Sequence, residues 1–129
     1  MCVLLVEWLG ECFLYVDLAK HYFGESFVML FLQISRHAPE SCPMHNEKVK
    51  KATLDLMAKM EPLMKKHGIK MVGCWNSMSE HLVVVVYDAP SFEVLLKFSM
   101  EPEAMVWSSY QMTETMPVVT LEEAMKMLK

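Results

Sequence analysis

The chain has 129 residues, 53% hydrophobic and 22% charged, which suits one globular domain with its own core and reads as globular rather than disordered material. The formal charge is -4, and no cluster of Lys and Arg is threaded with aromatic residues, so nucleic acid is set aside as a partner. No apolar run approaches the roughly 18–20 residues of a membrane-spanning helix, so the high mean hydropathy, +0.22, points to a subunit interface instead.

Residues 1–28 form a segment apart. It lacks the basic start of a secretory signal, and Glu7, Glu11 and Asp17 interrupt its apolar residues. Leu5, Trp8, Leu9, Cys12, Tyr15 and Ala19 recur at helical spacing. Two readings stand: an amphipathic helix that docks on the domain or a partner, or an extension ahead of a compact domain spanning 29–129. Cys2, Cys12, Cys42 and Cys74 are scattered without a CxxC or a disulfide-scaffold spacing, which implies a reducing, cytoplasmic location. The 14 methionines read as adaptable filler of a core or an interface.

Phe27 to Arg36 is rich in strand formers and gives the first strand. His37 to His45 is a loop fixed by Pro39 and Pro43. Asn46 caps a helix that runs to His67, with Pro62 expected to kink or restart it and Gly68 to stop it. Lys70–Trp75 and His81–Tyr87 are the second and third strands, joined by a polar turn. The run Leu82–Val86 is apolar on both sides, so neither face of that strand is wet. Ser91 caps a helix to about Met100, a helical turn begins at Pro102, and Tyr110–Met116 is the fourth strand. Thr120 and Glu123 make a capping box for a terminal helix to Leu128.

This order is β-α-β-β-α-β plus a C-terminal helix: a ferredoxin-like α+β domain, an antiparallel sheet with helices on one face. A sheet covered on one side needs a partner for the other, and a twofold pair is the simplest solution. The segments Ser35-Arg36-His37-Ala38-Pro39-Glu40-Ser41-Cys42-Pro43, His67-Gly68-Ile69-Lys70, Asp88-Ala89-Pro90-Ser91 and Met100-Glu101-Pro102-Glu103-Ala104-Met105 resemble small uncharacterised microbial members of the dimeric α+β barrel superfamily. The resemblance covers residues 29–129 and implies a homodimer with two sheets face to face; the apolar surface of residues 1–28 leaves higher oligomers open. The superfamily includes small monooxygenases, isomerase-like enzymes, haem-handling proteins and ligand-binding modules, and fold alone does not choose among them.

A sheet order of 4-1-3-2 sets the end of strand 1 beside the start of strand 3. His37 and His81 then share one rim with Cys42, His45, Trp75, Trp107 and Tyr110. Strand alternation puts Met29, Phe31, Gln33, Ser35 and His37 on one face and Leu30, Leu32 and Ile34 on the other. The more polar set is assigned to a cavity between paired sheets, the aliphatic set to the helices. Three readings follow. In the first, a small-molecule binding or assembly module, Phe31, Gln33, Ser35, Trp75, Trp107 and Tyr110 hold a small apolar ligand or simply pack. In the second, a monooxygenase- or isomerase-like enzyme, His37 and His81 act as acid and base. In the third, His37, Cys42 and His45, with His81 as a further candidate, hold a transition metal or a haem. No cofactor is required by the sequence, and whether the domain is an enzyme stays open.

Overall fold

The computed structural model describes residues 29–129, so the helix expected over 1–28 lies outside the described residues. Strand β1 (Leu30–Arg36) is flanked on both sides by antiparallel neighbours, β3 (Leu82–Asp88) and β4 (Met112–Val118). Strand β2 (Lys70–Ser77) completes the sheet outside β3, giving the order β2-β3-β1-β4. Helices α1 (Glu47–His67), α2 (Phe92–Ser99) and α3 (Pro102–Ser108) cover one face, and α4 (Leu121–Met127) follows β4. The fold is ferredoxin-like α+β, as the element order implied.

Local chemistry sets most boundaries. The Asn46 side chain accepts hydrogen bonds from the backbone N–H groups of Lys48 and Val49 at 3.1 and 3.2 Å, which opens α1. Gly68 closes it in the left-handed region (φ 68°), where a side chain would be strained. Pro62 does not restart α1, which runs as one helix from Glu47 to His67. It lies on the exposed side of the helix, where water can solvate the carbonyl of Ala58 that loses its partner. Strand β4 starts two residues later than expected. The N–H groups of Tyr110 and Gln111 bond back to Trp107 and Ser108, which prolongs the turn after α3. The capping box of Thr120 and Glu123 forms. Among the described residues, no helix is long and apolar enough to cross a membrane.

The face assignment made from sequence is reversed. Phe31 is fully buried beneath the helices, in one cluster with Val85, Tyr87, Leu95 and Phe98, and Ser35 is buried on the same side. Leu32 and Ile34 lie on the uncovered face with Val84 and Val86, all partly exposed. Polarity misled because the polar side chains of β1 satisfy one another. Gln33 Nε2 donates to Ser35 Oγ at 3.3 Å, and Ser35 Oγ lies 3.1 Å from Thr113 Oγ1 on β4. A buried polar group with a partner does not need a wet cavity. The large ring of Phe31 takes the side that helices can enclose.

Ion pairs tie α1 to the start of α3. Lys59 pairs with Glu103, Lys66 with Glu101 at 2.6 Å, and His67 Nε2 lies 2.8 Å from the same Glu101 carboxylate. The hydrogen bond from Lys66, reinforced by the one from His67, holds the Glu101 carboxyl below the usual carboxylate range. A lowered carboxyl contributes stability that is present above the ordinary carboxylate pKa and lost as pH falls through the lowered value.

Two outcomes are expected. Phe31→Ala removes the fully buried ring of β1 and should cost about 3–5 kcal/mol in denaturant unfolding, whereas a cost near that of a surface change would place the core elsewhere. Glu101→Gln should unfold more easily than the parent at neutral pH. That gap should close as pH falls below the ordinary carboxylate range, measured as melting temperature against pH.

Candidate functional site

Between the sheet and the helices lies a cavity of about 240 Å³. Its floor comes from β1, β2 and β3 through Gln33, Met71, Cys74, Val83, Val85 and Tyr87. Its roof comes from Leu56, Met57 and Met60 of α1, Leu95 and Phe98 of α2 and Trp107 of α3. Three methionines in that wall give it a flexible, polarizable lining. Polar groups gather at the rim where β1 and β2 end and β4 begins: His37, Asn76 and Gln111. The cavity belongs to one subunit and lies on the helix side, not between two sheets.

The rim assembles as the strand order dictates. β1 and β3 pair up to Arg36 opposite Leu82, so the next residue outward on β1 faces the previous one on β3. The backbone N–H of His37 donates to the carbonyl of His81 at 3.1 Å. Their rings meet edge to face, with His37 Nε2 3.3 Å from His81 Nδ1. Burial holds the His37 imidazole below the ordinary histidine range. The charge of His81 adds to that, and contact with Gln111 opposes it. His81 ends the Met78–His81 turn with φ 52°, a left-handed conformation uncommon for a residue with a side chain.

The loop after β1 folds back through a short helical turn, Pro39–Ser41, closed by the N–H of Cys42 on the carbonyl of Pro39. This buries Cys42 beside the two histidines: the Cys42 thiol and the nearest nitrogens of His37 and His81 all lie within 4.8 Å of one another. His45, assigned to this group from sequence, is not in it. The carbonyl of Cys42 accepts from the N–H groups of His45 and Asn46, and the turn leaves the His45 side chain exposed.

The remaining sequence-derived residues divide. Gln33 and Trp107 line the cavity with His37. Phe31 and Ser35 are packed below it and do not reach it. Tyr110 is half-buried in the turn before β4 and does not line it. Trp75 is on the uncovered face of β2, 59% exposed, with its ring folded over Gly73, where a Cβ would collide with it. Parity explains this placement: Trp75 pairs with Val84, while the cavity-facing Cys74 pairs with Val85.

Several cavity residues were not assigned to a site from sequence, among them Tyr87, Cys74 and Gln111. Burial pushes the Tyr87 phenol up to about 12, so it remains protonated, and partial burial raises the thiol of Cys74, which is otherwise exposed. The Oε1 of Gln111 is buried without a well-formed hydrogen bond. Nothing local in the sequence marks it, because its position depends on the prolonged turn after α3.

No functionally curated protein matches this sequence. Among solved structures, the chain is similar to a Caulobacter crescentus CB15 protein named as an antibiotic biosynthesis monooxygenase. The two share 16% identity with a TM-score of 0.49, over 72% of this chain and 92% of that one. A likeness of this degree carries no information about the reaction. Residues 29–129 match the family described as Domain of unknown function (DUF3303), and the chain belongs to that family.

Proposed function

We propose that the protein is a homodimeric binding module whose subunits each hold one small, mainly apolar molecule carrying a hydrogen-bond donor. The observation that supports this is the Oε1 of Gln111 at the polar end of an otherwise apolar cavity, buried, near the His37 ring and without a well-formed hydrogen bond. Leaving such an acceptor unpaired costs about 1–3 kcal/mol, and a hydroxyl or N–H on a bound molecule would recover that. At about 240 Å³ the cavity is smaller than the roughly 300–1,000 Å³ typical of drug-sized ligands, so it suits one or two rings. Where the bound molecule has an acidic hydrogen, His37 is the cavity residue suited to take it, with His81 behind as the next proton carrier.

Pairing follows from the uncovered face. Leu32, Ile34, Val84, Val86 and Met116 form a contiguous apolar surface across β1, β3 and β4, extended over β2 by the Trp75 ring. A second copy packed sheet to sheet, as in the dimeric α+β barrels that the chain resembles, would remove that surface from water.

Isothermal titration with 1-naphthol and with 1-methylnaphthalene, which matches its shape but donates nothing, tests the ligand reading. The parent should prefer 1-naphthol by about tenfold. Gln111→Leu should abolish that preference while unfolding no more easily than the parent. Equal affinity for the two compounds, or no saturable heat with either, would overturn the assignment. Pairing is tested separately by sedimentation. The parent should run as a dimer and Val84→Lys, at the centre of the open face between Ile34 and Trp75, as a monomer. A monomeric parent at micromolar concentration would refute it.

A further inference from the structure

We propose that His37, Cys42 and His81 form a binding site for a zinc-class divalent ion, with three protein ligands and one coordination position left open. The argument begins with spacing. Two zinc–nitrogen bonds of about 2.05 Å at the tetrahedral angle hold their nitrogens about 3.3 Å apart. His37 Nε2 and His81 Nδ1 stand 3.3 Å apart. The thiolate of Cys42, with a zinc–sulfur bond of about 2.3 Å, belongs about 3.6 Å from each nitrogen. It already lies within 4.8 Å of both, so a change in its side-chain torsion completes the triangle.

The backbone holds these groups in place. His37 and His81 are joined through the hydrogen bond from the His37 N–H to the His81 carbonyl. Cys42 is fixed on both sides, its N–H on Pro39 and its carbonyl on His45 and Asn46. The left-handed backbone at His81 is a strained choice for a turn, and here it aims an imidazole at its neighbour. Donor chemistry selects the ion. Two imidazoles and a thiolate, without a carboxylate among them, suit zinc or cobalt and not calcium or magnesium, which take oxygen ligands. Three ligands with a free position is the pattern of zinc sites that bind water or a substrate, whereas closed structural sites use four. This site does not rest on the cavity reading, with which it shares His37 and, where a proton is relayed, His81.

The test is a cobalt(II) titration of the chelator-treated full-length chain carrying Cys2→Ser, Cys12→Ser and Cys74→Ser, which leaves Cys42 as the sole thiol. One equivalent per chain should produce a thiolate-to-cobalt charge-transfer band in the near ultraviolet and tetrahedral bands in the visible, and zinc(II) should displace both. Adding Cys42→Ser should remove the charge-transfer band. His81→Ala, in a turn where the core is untouched, should weaken binding by at least about tenfold, since even residues behind a ligand cost that much. His45→Ala should leave the spectrum and the affinity unchanged. Absence of the thiolate band in a folded, reduced protein would overturn the proposal. So would loss of the band in His45→Ala with retention in His81→Ala.

Discussion

The register between β1 and β3 is the constraint on which the rest depends. Arg36 opposite Leu82 fixes, by strict alternation, every other pair down to Leu30 opposite Asp88. A slip of one residue on either strand would exchange the faces of its side chains. Phe31 or Val85 and Tyr87 would then meet water while Val84 and Val86 went under the helices. It would also part His37 from His81, whose backbone bond is the next rung of the same ladder. Core, cavity floor and rim are thus three outcomes of one hydrogen-bond pattern.

The same alternation separates two kinds of surface along β3. Val83, Val85 and Tyr87 look toward the helices and form cavity wall, while Val84 and Val86 look away and form the uncovered face. A strand apolar at every position thus serves a site inside the subunit and a flat surface outside it. The two need not communicate, because the sheet itself is the partition. Beyond β4, Leu121 at the start of α4 and Leu128 just after it are further exposed apolar side chains, both 79% exposed.

The sequence carried the element order, the strand order and the helix caps at Asn46, Gly68, Ser91 and Thr120, because each rests on local chemistry or on short-range alternation. The meeting of His37 and His81 was legible for the same reason. Alternation tells which residues share a face and not which face receives the helices, so the sides of Phe31 and Leu32 were inverted. Trp75 followed the same rule to the uncovered side. Gln111 was invisible because its burial depends on α3, a turn and β4 together. His45 and His81 compete for a place beside Cys42, and spacing favours the nearer one in the chain. The bonds from the His45 and Asn46 N–H groups to the Cys42 carbonyl decide against it by turning the His45 side chain outward.

His81 occupies a conformation that glycine adopts freely and that most other residues resist. A glycine there would relax the hairpin, a gain offset in part by the extra freedom it gives the unfolded chain. Anyone hardening this domain by consensus turn chemistry would therefore choose that exchange early, and would remove an imidazole from the rim in doing so. Sturdiness and rim chemistry pull in opposite directions at a single codon.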